Sequence, residues 1–548
     1  MPTIGQYLID RLRSHGVRHV FGVPGDYVLG FYELLDHSDL KIINTCDEQG
    51  AGFAADAYAR INGLGAVCVT YCVGGLKLAN TTAEAFAEKS PVVVISGAPG
   101  INERAKNPLL HHKVRDFDTQ FKVFEHLTVA STVLKDRETA FQEIDRVLHA
   151  ALRYKRPVYI ELPRDMVHEN GRADYNPVEI QEASDLQALR EALQEAVTMM
   201  NQARRPVLIA GIELHRFNLQ KELMELIEKT NIPVAATLLS KSVISELHPN
   251  YMGIYEGAMC REEVRQYVES SDCLILLGAF MSDVDLGIFT ARIDPQRSIA
   301  VTSEKTSIRF HNYEEIYLKD FIRGLIQSGI HRREWAAIPH PEPPGPDFIP
   351  KPAEKITIRR LFERLNAFLD DHDVVIADPG DAMFAGADLV IHRHTEFLAP
   401  AYYTSMGFAV PASLGVQLAN SKLRPLVLVG DGAFQMTGME LATVARFNGN
   451  PIVIILNNRG YGTERPMQDG SFNDIQPWQY SSIPELFGYG KGYRVKTEGD
   501  LEFALCKARE YTEGFCVLDV QLDPQDCSPA LKRLTEALGK KIQASKKL

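Results

Sequence analysis

Two short apolar runs, Pro425 to Val429 and Pro451 to Leu456, each end in a polar cluster that contains glycine, and this arrangement narrows the fold more than any other feature. Both runs have the length of buried strands, and Met439 to Phe447 between them reads as a short helix. Gly430-Asp431-Gly432 and Asn457-Asn458-Arg459-Gly460 therefore sit at strand C-terminal ends, where open parallel sheets bind ligands. Asp431 offers a carboxylate, Asn458 an amide oxygen 27 positions later, and Gly460 a carbonyl with no side chain in the way. Hard oxygen ligands of this kind suit Mg²⁺, which keeps waters and holds substrate phosphates. The glycines let the backbone approach a diphosphate closely. A lone Gly-Asp-Gly is most often a turn; the specificity comes from its pairing with Asn-Asn at this interval between two apolar strands.

At 548 residues the chain is too long for one core and should divide into roughly three domains of about 180 residues. The first, residues 1–180, alternates strands at His19–Val23, Lys41–Thr45, Ala66–Tyr71, Pro91–Ile95 and Pro157–Leu162 with helices at Ala51–Arg60 and Ala79–Ala87. Asp165 to Asp185 is polar and turn-rich, as a boundary should be. A second unit, 186–335, contains the strand-like runs Arg205–Gly211, Ile232–Ala236 and Cys273–Leu277 and closes with a helix at Leu318–Gln327. The proline-rich stretch from Pro339 to Pro346 reads as an extended linker within 336–355. A third unit, 356–548, carries the polar clusters. The fold class is α/β, with three doubly wound parallel-sheet domains.

Apolar residues at 45% suffice for that much burial, and a formal charge of −12 without a basic run excludes nucleic acid or an anionic membrane as the main partner. The eight cysteines form no CxxC pair and several lie in apolar strand-like runs, as buried thiols in a reducing compartment do. Met1 to Gly16 carries Asp10, Arg11 and Arg13 among its apolar residues and so is not a signal sequence; no apolar run nears the ~20 residues of a membrane span. A cytoplasmic protein is expected. The lysine-rich tail after Gly539 reads as a solvated helix end.

Further segments occur in an order that resembles the thiamine-diphosphate-dependent 2-keto-acid decarboxylases, among them pyruvate, indolepyruvate and phenylpyruvate decarboxylases. They are Gly22-Val23-Pro24-Gly25-Asp26, Glu48 to Asp56, His111-His112, Ser405 to Ala412 and Gly460-Tyr461-Gly462-Thr463-Glu464. The wording of Ala87 to Gly100 and Gly430 to Gly438 is most similar to the phenylpyruvate and indolepyruvate branch. The resemblance spans nearly the whole chain. It implies a pyrimidine-binding, a middle and a diphosphate-binding domain, with thiamine diphosphate and Mg²⁺ as cofactors. It also implies a homodimer or homotetramer with sites between the first domain of one subunit and the third of another.

Alone, Glu48 would be an ordinary first-turn carboxylate favoured by the helix dipole. The resemblance makes it the residue that hydrogen-bonds the cofactor's pyrimidine ring. Met406 matches the apolar side chain that bends the cofactor, a task that suits a polarizable thioether, and the carbonyl of Thr404 would receive the pyrimidine amino group. Gly430, Asp431, Gly432, Ala433, Asn458 and Gly460 would line the diphosphate, with Asp431, Asn458 and Gly460 on the metal. Asp26, His111, His112 and Glu464 form the implied proton-handling set, since imidazoles anchor a carboxylate and relay protons near neutral pH. Met383, Phe384, Thr463 and Met467 would line the substrate pocket.

Three departures from the family pattern matter. Lys113 follows the histidine pair where threonine is common, and Val73-Gly74-Gly75 stands at a common Val-Gly-Glu stretch. Gly380-Asp381-Ala382-Met383-Phe384 has methionine where some pyruvate-specific enzymes have tryptophan, which implies a roomier pocket and aromatic or long branched 2-keto acids in preference to pyruvate. Asp283 lies where the phenylpyruvate branch can place a functional carboxylate. Alternative readings are a carboligase of the acetolactate synthase type, against which the histidine pair and Glu464 speak, and a catalytically silent homologue, against which Glu48, Asp431 and Asn458 speak.

Overall fold

In the computed structural model, residues 1–177, 182–335, 337–341, 348–391 and 396–535 are described. Most of the proline-rich stretch and the lysine-rich tail lie outside them. Three sheets account for the named strands of the described residues. The first contains β1 (His19–Val23), β2 (Lys41–Asn44), β3 (Gly65–Val69), β4 (Val92–Ala98), β5 (Ala130–Val133) and β6 (Val158–Pro163), all parallel, in the order β2-β1-β3-β4-β6-β5.

The middle sheet contains β7 (Pro206–Ala210), β8 (Val234–Ala236), β9 (Tyr251–Ile254), β10 (Cys273–Leu277), β11 (Ser298–Val301), β12 (Thr306–Ile308) and β13 (His311–Tyr313), ordered β13-β12-β11-β10-β7-β8-β9. It is parallel except at one edge, where β12 and β13 turn back antiparallel to β11 and β12. The third sheet, β14 (Asp373–Ala377), β15 (Glu396–Leu398), β16 (Arg424–Gly430), β17 (Ile452–Asn457), β18 (Lys491–Val495) and β19 (Cys516–Gln521), is wholly parallel in the order β15-β14-β16-β17-β19-β18. Helices cover both faces of each sheet, so the α/β class expected from the sequence is the one observed.

The first and third sheets share a topological detail that fixes where ligands go. The chain leaves β1 for β2 on one side and then crosses to β3 on the other; it does the same from β14 to β15 and back to β16. Each reversal opens a crevice at the strand C-terminal ends, between β1 and β3 in the first sheet and between β14 and β16 in the third. The segments after these strands are Pro24-Gly25-Asp26 and Thr70 to Gly75 in one sheet, Asp378-Pro379-Gly380 and Asp431-Gly432 in the other.

The two units meet through two helices. Glu48–Asn62 is rich in alanine, the best helix former, is capped by the Asp47 side chain on the amide of Gln49, and stops at Gly63 with φ +94°. Its face Phe53, Ala54, Ala57 and Tyr58 shares one core with Phe408, Ala412 and Val416 around the helix Ala409–Ala419. The approach is so close that a Cβ at Gly415 would stand 2.1 Å from the carbonyl oxygen of Ala54. Within this contact Arg60 is fully buried and holds Asp56 through hydrogen bonds of 2.8 and 3.0 Å, with a third to the carbonyl of Ala399. The middle unit is fastened to the first by Lys89, which pairs with Glu213 at 2.9 Å, and to the third by Lys241, which donates to Glu246 and to the carbonyls of Ala387 and Leu389.

All eight cysteines carry free thiols, five of them buried. Among the described residues no helix is long and apolar enough to cross a membrane.

Gly415→Ala tests the close helix contact. Because the obstructing atom is backbone and cannot rotate away, the two helices must part, at a cost of about 1–3 kcal/mol. The thermal midpoint should fall by roughly 5 °C; an unchanged midpoint would mean that this contact carries little of the domain packing.

Candidate active site

At the crevice of the third sheet a helix, Asp431–Thr437, begins on the first residue after β16, so the polar cluster is both the end of a strand and the start of a helix. The single helix expected at Met439–Phe447 is in fact a 3₁₀ turn at Gly438–Glu440 followed by the helix Leu441–Arg446. The Asp431 carboxylate is buried and accepts the amides of Gly432 (2.9 Å) and Arg459 (2.6 Å), which tie β16 to the turn after β17. Burial pushes its pKa up to about 7, against the pull of these amides.

One end of the Asn458 amide lies 3.3 Å from an Asp431 carboxylate oxygen and 2.8 Å from the carbonyl oxygen of Gly460. Turned to present nitrogen, it hydrogen-bonds both; turned to present oxygen, it completes a triangle of three oxygens that only a cation would stabilise. Gly430 has nothing within 4 Å of where a Cβ would stand, whereas Gly432 is held against the Tyr461 ring and Ala433 is buried behind them. These donors and this open backbone fit a hard divalent ion and the phosphates it binds.

Beside them runs the segment Thr404 to Ala409. Thr404 adopts φ +58°, an uncommon backbone for a β-branched residue, and Gly407 follows at +93°. Met406 between them is half-buried against the core shared by the first and third units.

Glu48 occupies the first turn of its helix, and its carboxylate is 2.9 Å from the Lys77 amine, which also pairs with Asp47. The turn before it is fixed from the third unit: buried Glu440 accepts the amides of Cys46 (3.1 Å) and Asp47 (3.0 Å) and the hydroxyl of Thr443. Val73-Gly74-Gly75, at the common Val-Gly-Glu stretch, has a local reason for glycine at its third position. A Cβ at Gly75 would collide with the Gln120 amide, whose oxygen accepts the Cys72 amide at 2.6 Å and whose nitrogen donates to Ser96 and Tyr159.

Asp26 and the histidine pair do come together. His111 Nε2 is 2.7 Å from one Asp26 oxygen and His112 Nε2 is 3.8 Å from the other, with the two imidazole centroids 4.7 Å apart. The ring of Tyr27 stacks on His111 at 4.8 Å, and His112 adopts φ +66°. Lys113 turns away from the pair and braces the loop before it, donating to Asn107 Oδ1 and to the carbonyl of Pro108 and lying over the Phe117 ring.

Glu464 is exposed, in a turn after the Asn457 to Gly460 cluster, and its carboxylate makes no hydrogen bond or ion pair among the described residues. Thr463 lies beside Gly380, whose φ is +109°, at the same crevice. Met383 is fully enclosed in the third core, Phe384 is half-buried and Met467 exposed. Asp283 is exposed on the middle unit, whereas its neighbour Asp285 is buried and bonded to Ser282.

Two groups thus form in one chain: Asp26, His111 and His112 on the first unit, and Asp431, Asn458 and Gly460 with Thr463 and Glu464 on the third. No hydrogen bond joins the two groups among the described residues. Sequence reading missed Tyr27, Lys77, Gln120 and Glu440. Each is a common residue type outside any motif, and none carries a signal of its role in its own neighbourhood.

Residues 2–120 match the N-terminal TPP binding domain of the thiamine pyrophosphate enzymes, 193–322 their central domain and 378–520 their C-terminal TPP binding domain. The chain is 35% identical to an indole-3-pyruvate decarboxylase of Azospirillum brasilense over 97% of its own length and 98% of the relative's. It is 32% identical to an alpha-keto-acid decarboxylase of Mycobacterium leprae, over 97% and 95% of the two chains. A pyruvate decarboxylase of Aspergillus fumigatus is 33% identical over 97% and 96%.

Replacing Glu440 by alanine leaves two amides before Glu48 without their acceptor. A loss of about 2 kcal/mol is expected, read as a lower thermal midpoint, with Glu440→Gln intermediate because its amide oxygen still accepts. Equal midpoints for both variants and the parent would show that water replaces the carboxylate freely.

Proposed function

This chain belongs to the thiamine pyrophosphate enzymes as a 2-keto-acid decarboxylase, and we propose that it converts aromatic or long branched 2-keto acids, in preference to pyruvate, to an aldehyde and CO₂. Thiamine diphosphate and Mg²⁺ serve as its cofactors in this reading. The observation that carries the choice of decarboxylation is the ordered Asp26–His111–His112 set: two imidazoles, one fixed by a carboxylate at 2.7 Å, are suited to hold the substrate carboxylate and to deliver a proton to the product. A carboligase has to admit a second keto acid where these groups stand.

When bound, the thiazolium of the cofactor supplies the nucleophilic carbon and the electron sink. The rest falls to side chains. Glu48 would hydrogen-bond the pyrimidine ring and hold the proton exchanged there, Met406 would pack against the bound cofactor, and the Thr404 carbonyl would accept from the pyrimidine amino group. Asp431, Asn458 and Gly460 would hold Mg²⁺ through oxygen. Glu464, whose carboxylate has no partner among the described residues, would be free to meet the reacting carboxylate.

In this reading two subunits complete each site. Tyr402, Tyr403, Met436 and Met439 are each 40–47% exposed around the Met406 segment, a concentration of apolar surface that supports cover by the first domain of a second copy.

The deciding assay follows CO₂ and aldehyde release with and without thiamine diphosphate over a panel of 2-keto acids. A condensation product in place of aldehyde would establish the carboligase instead. Glu48→Gln should retain cofactor and metal yet lose at least about 99% of turnover, since an amide does not exchange the proton; near-parental turnover would remove Glu48 from this role.

Asp431→Ala should lose the Mg²⁺-dependent part of cofactor retention, as should chelation of the parent, because the ion loses its charged protein ligand. Equal cofactor affinity with and without metal in the parent would contradict the metal assignment.

Each methylene accommodated in an apolar pocket is worth roughly 1 kcal/mol, so kcat/KM should rise by about tenfold or more from pyruvate to long branched or aromatic substrates. Met383→Trp should reverse that rise and spare pyruvate. A uniform fall for all substrates would mark damage to the core around this enclosed residue rather than a change of pocket.

A further inference from the structure

The segment that carries Met406 has no regular structure of its own, yet it is held on every side. At its start, buried Glu88 accepts the amides of Tyr402 and Tyr403, both at 2.8 Å, and Asn80 of the same helical region donates to the Ser405 hydroxyl at 2.7 Å. At its end stands Asp378, the first residue after β14, with no exposed surface. One of its carboxylate oxygens accepts the amide of Gly407 and the other the amide of Ala409, each at 2.8 Å. Its own amide donates to the carbonyl of Leu428, so the carboxylate is anchored to β16 as well as β14. From the opposite side the Thr437 hydroxyl donates to the Gly407 carbonyl at 2.6 Å. Thr437 is the last residue of the helix whose first residue is Asp431.

A buried carboxylate with both oxygens committed to backbone amides is an expensive way to secure a turn. Burial pushes the acid up to about 7, against the pull of the two amides that its oxygens accept. An uncharged residue would secure an ordinary loop at less cost. What distinguishes this turn is its content: the backbone passes through φ +58° at Thr404 and +93° at Gly407, with Met406 between, and those two dihedrals decide where the methionine and the Thr404 carbonyl stand. Backbone in sparsely populated regions persists only when its surroundings over-determine it.

We propose that Asp378 and Thr437 are positioning residues that set the placement of Met406 and the Thr404 carbonyl, acting through the backbone of Gly407 and Ala409. The inference rests on the reading of Met406 as the residue that bends the cofactor. It also gives the two ends of the cofactor site a common frame: the helix that starts at Asp431 ends at the hydroxyl that holds Gly407.

The test joins amide hydrogen exchange on the cofactor-free protein with kinetics and near-ultraviolet circular dichroism of the holoenzyme, for Asp378→Asn, Asp378→Glu, Thr437→Val and Met406→Ala. In Asp378→Asn one buried amide loses its acceptor, and exchange at Gly407 and Ala409 should accelerate by roughly tenfold or more. Turnover should fall by about ten- to a hundredfold, as displacement of a positioned group by an ångström does. Thiamine diphosphate affinity should stay within about threefold of the parent, because the oxygens of Asp431, Asn458 and Gly460 are untouched.

The dichroism of the bound aminopyrimidine should move in the direction seen with Met406→Ala, Asp378→Glu should recover part of both signals, and Thr437→Val should give the same pattern in weaker form. Thr437→Val also serves where Asp378→Asn fails to fold. Parental exchange rates at Gly407 and Ala409 would overturn the clamp. Faster exchange with parental turnover and dichroism would overturn its positioning role, and parental behaviour of Met406→Ala would overturn the wedge reading while leaving exchange to judge the clamp.

Discussion

The approach of the helix Glu48–Asn62 to the helix Ala409–Ala419 is the contact on which the rest of the molecule depends. Alanines and Gly415 let the two backbones come within reach of each other, and Phe53 and Phe408 meet edge to face in the same layer. One helix starts at Glu48 and the other follows directly on the Met406 segment, so a change in their separation moves these two segments of the chain relative to each other. The buried Arg60–Asp56 pair sits in this layer, and Arg60 also lies over the Phe408 ring. Such a pair adds little net stability over an apolar replacement, but breaking it strands a charge. The pair lies within one helix, and Arg60 alone reaches the third unit, through the Ala399 carbonyl and the Phe408 ring, so another docking would strip a buried guanidinium of these contacts. Glu84 and Glu88 lie 3.9 and 3.8 Å from the same guanidinium, and burial raises both acids.

The two outer sheets are related in plan. Each reverses its strand order once, and each opens its crevice at that reversal. The first lines it with Asp26, and with Glu48 and the histidines from neighbouring segments; the third lines it with Asp378, Gly380 and Asp431. The imidazoles and the Asp26 and Glu48 carboxylates thus gather about one sheet, and the Asp431 carboxylate with the Asn458 amide and the Gly460 carbonyl about the other. A cofactor with a diphosphate at one end and an ionisable ring at the other matches that division. The middle sheet, with its antiparallel edge, contributes none of the paired groups; its buried lysine contacts hold it against the other two.

Much of this was legible in the sequence. The strands β1 and β10 lie where their short apolar runs place them, and helices stand at Ala79–Ala87 and Leu318–Gln327 where they are expected, the second with its apolar face Leu318, Phe321, Ile322 and Leu325 repeating at three and four. The Gly-Asp-Gly and Asn-Asn clusters were legible because few residue types combine an open backbone with oxygen donors suited to phosphate and a hard cation. The helix that begins at Asp431 was not, since Gly430 to Thr437 has no helical periodicity; its first turn is set by the strand it leaves and by the Arg459 amide on the Asp431 carboxylate.

What the sequence by itself determined is local: strand and helix periods, the residues at strand ends, and a donor set chemically suited to a hard cation and a keto acid. What only the tertiary structure decided is which of many ordinary residues became partners. Asp378, Thr437, Glu440, Lys77 and Tyr27 act across separations in sequence of up to several hundred positions, as between Glu440 and Cys46. A carboxylate that accepts a distant amide leaves no trace in the spacing of its own neighbours, because the bond depends on where two backbones pass each other. That is settled by the packing of whole helices and sheets, and for this protein by the close contact made possible at Gly415.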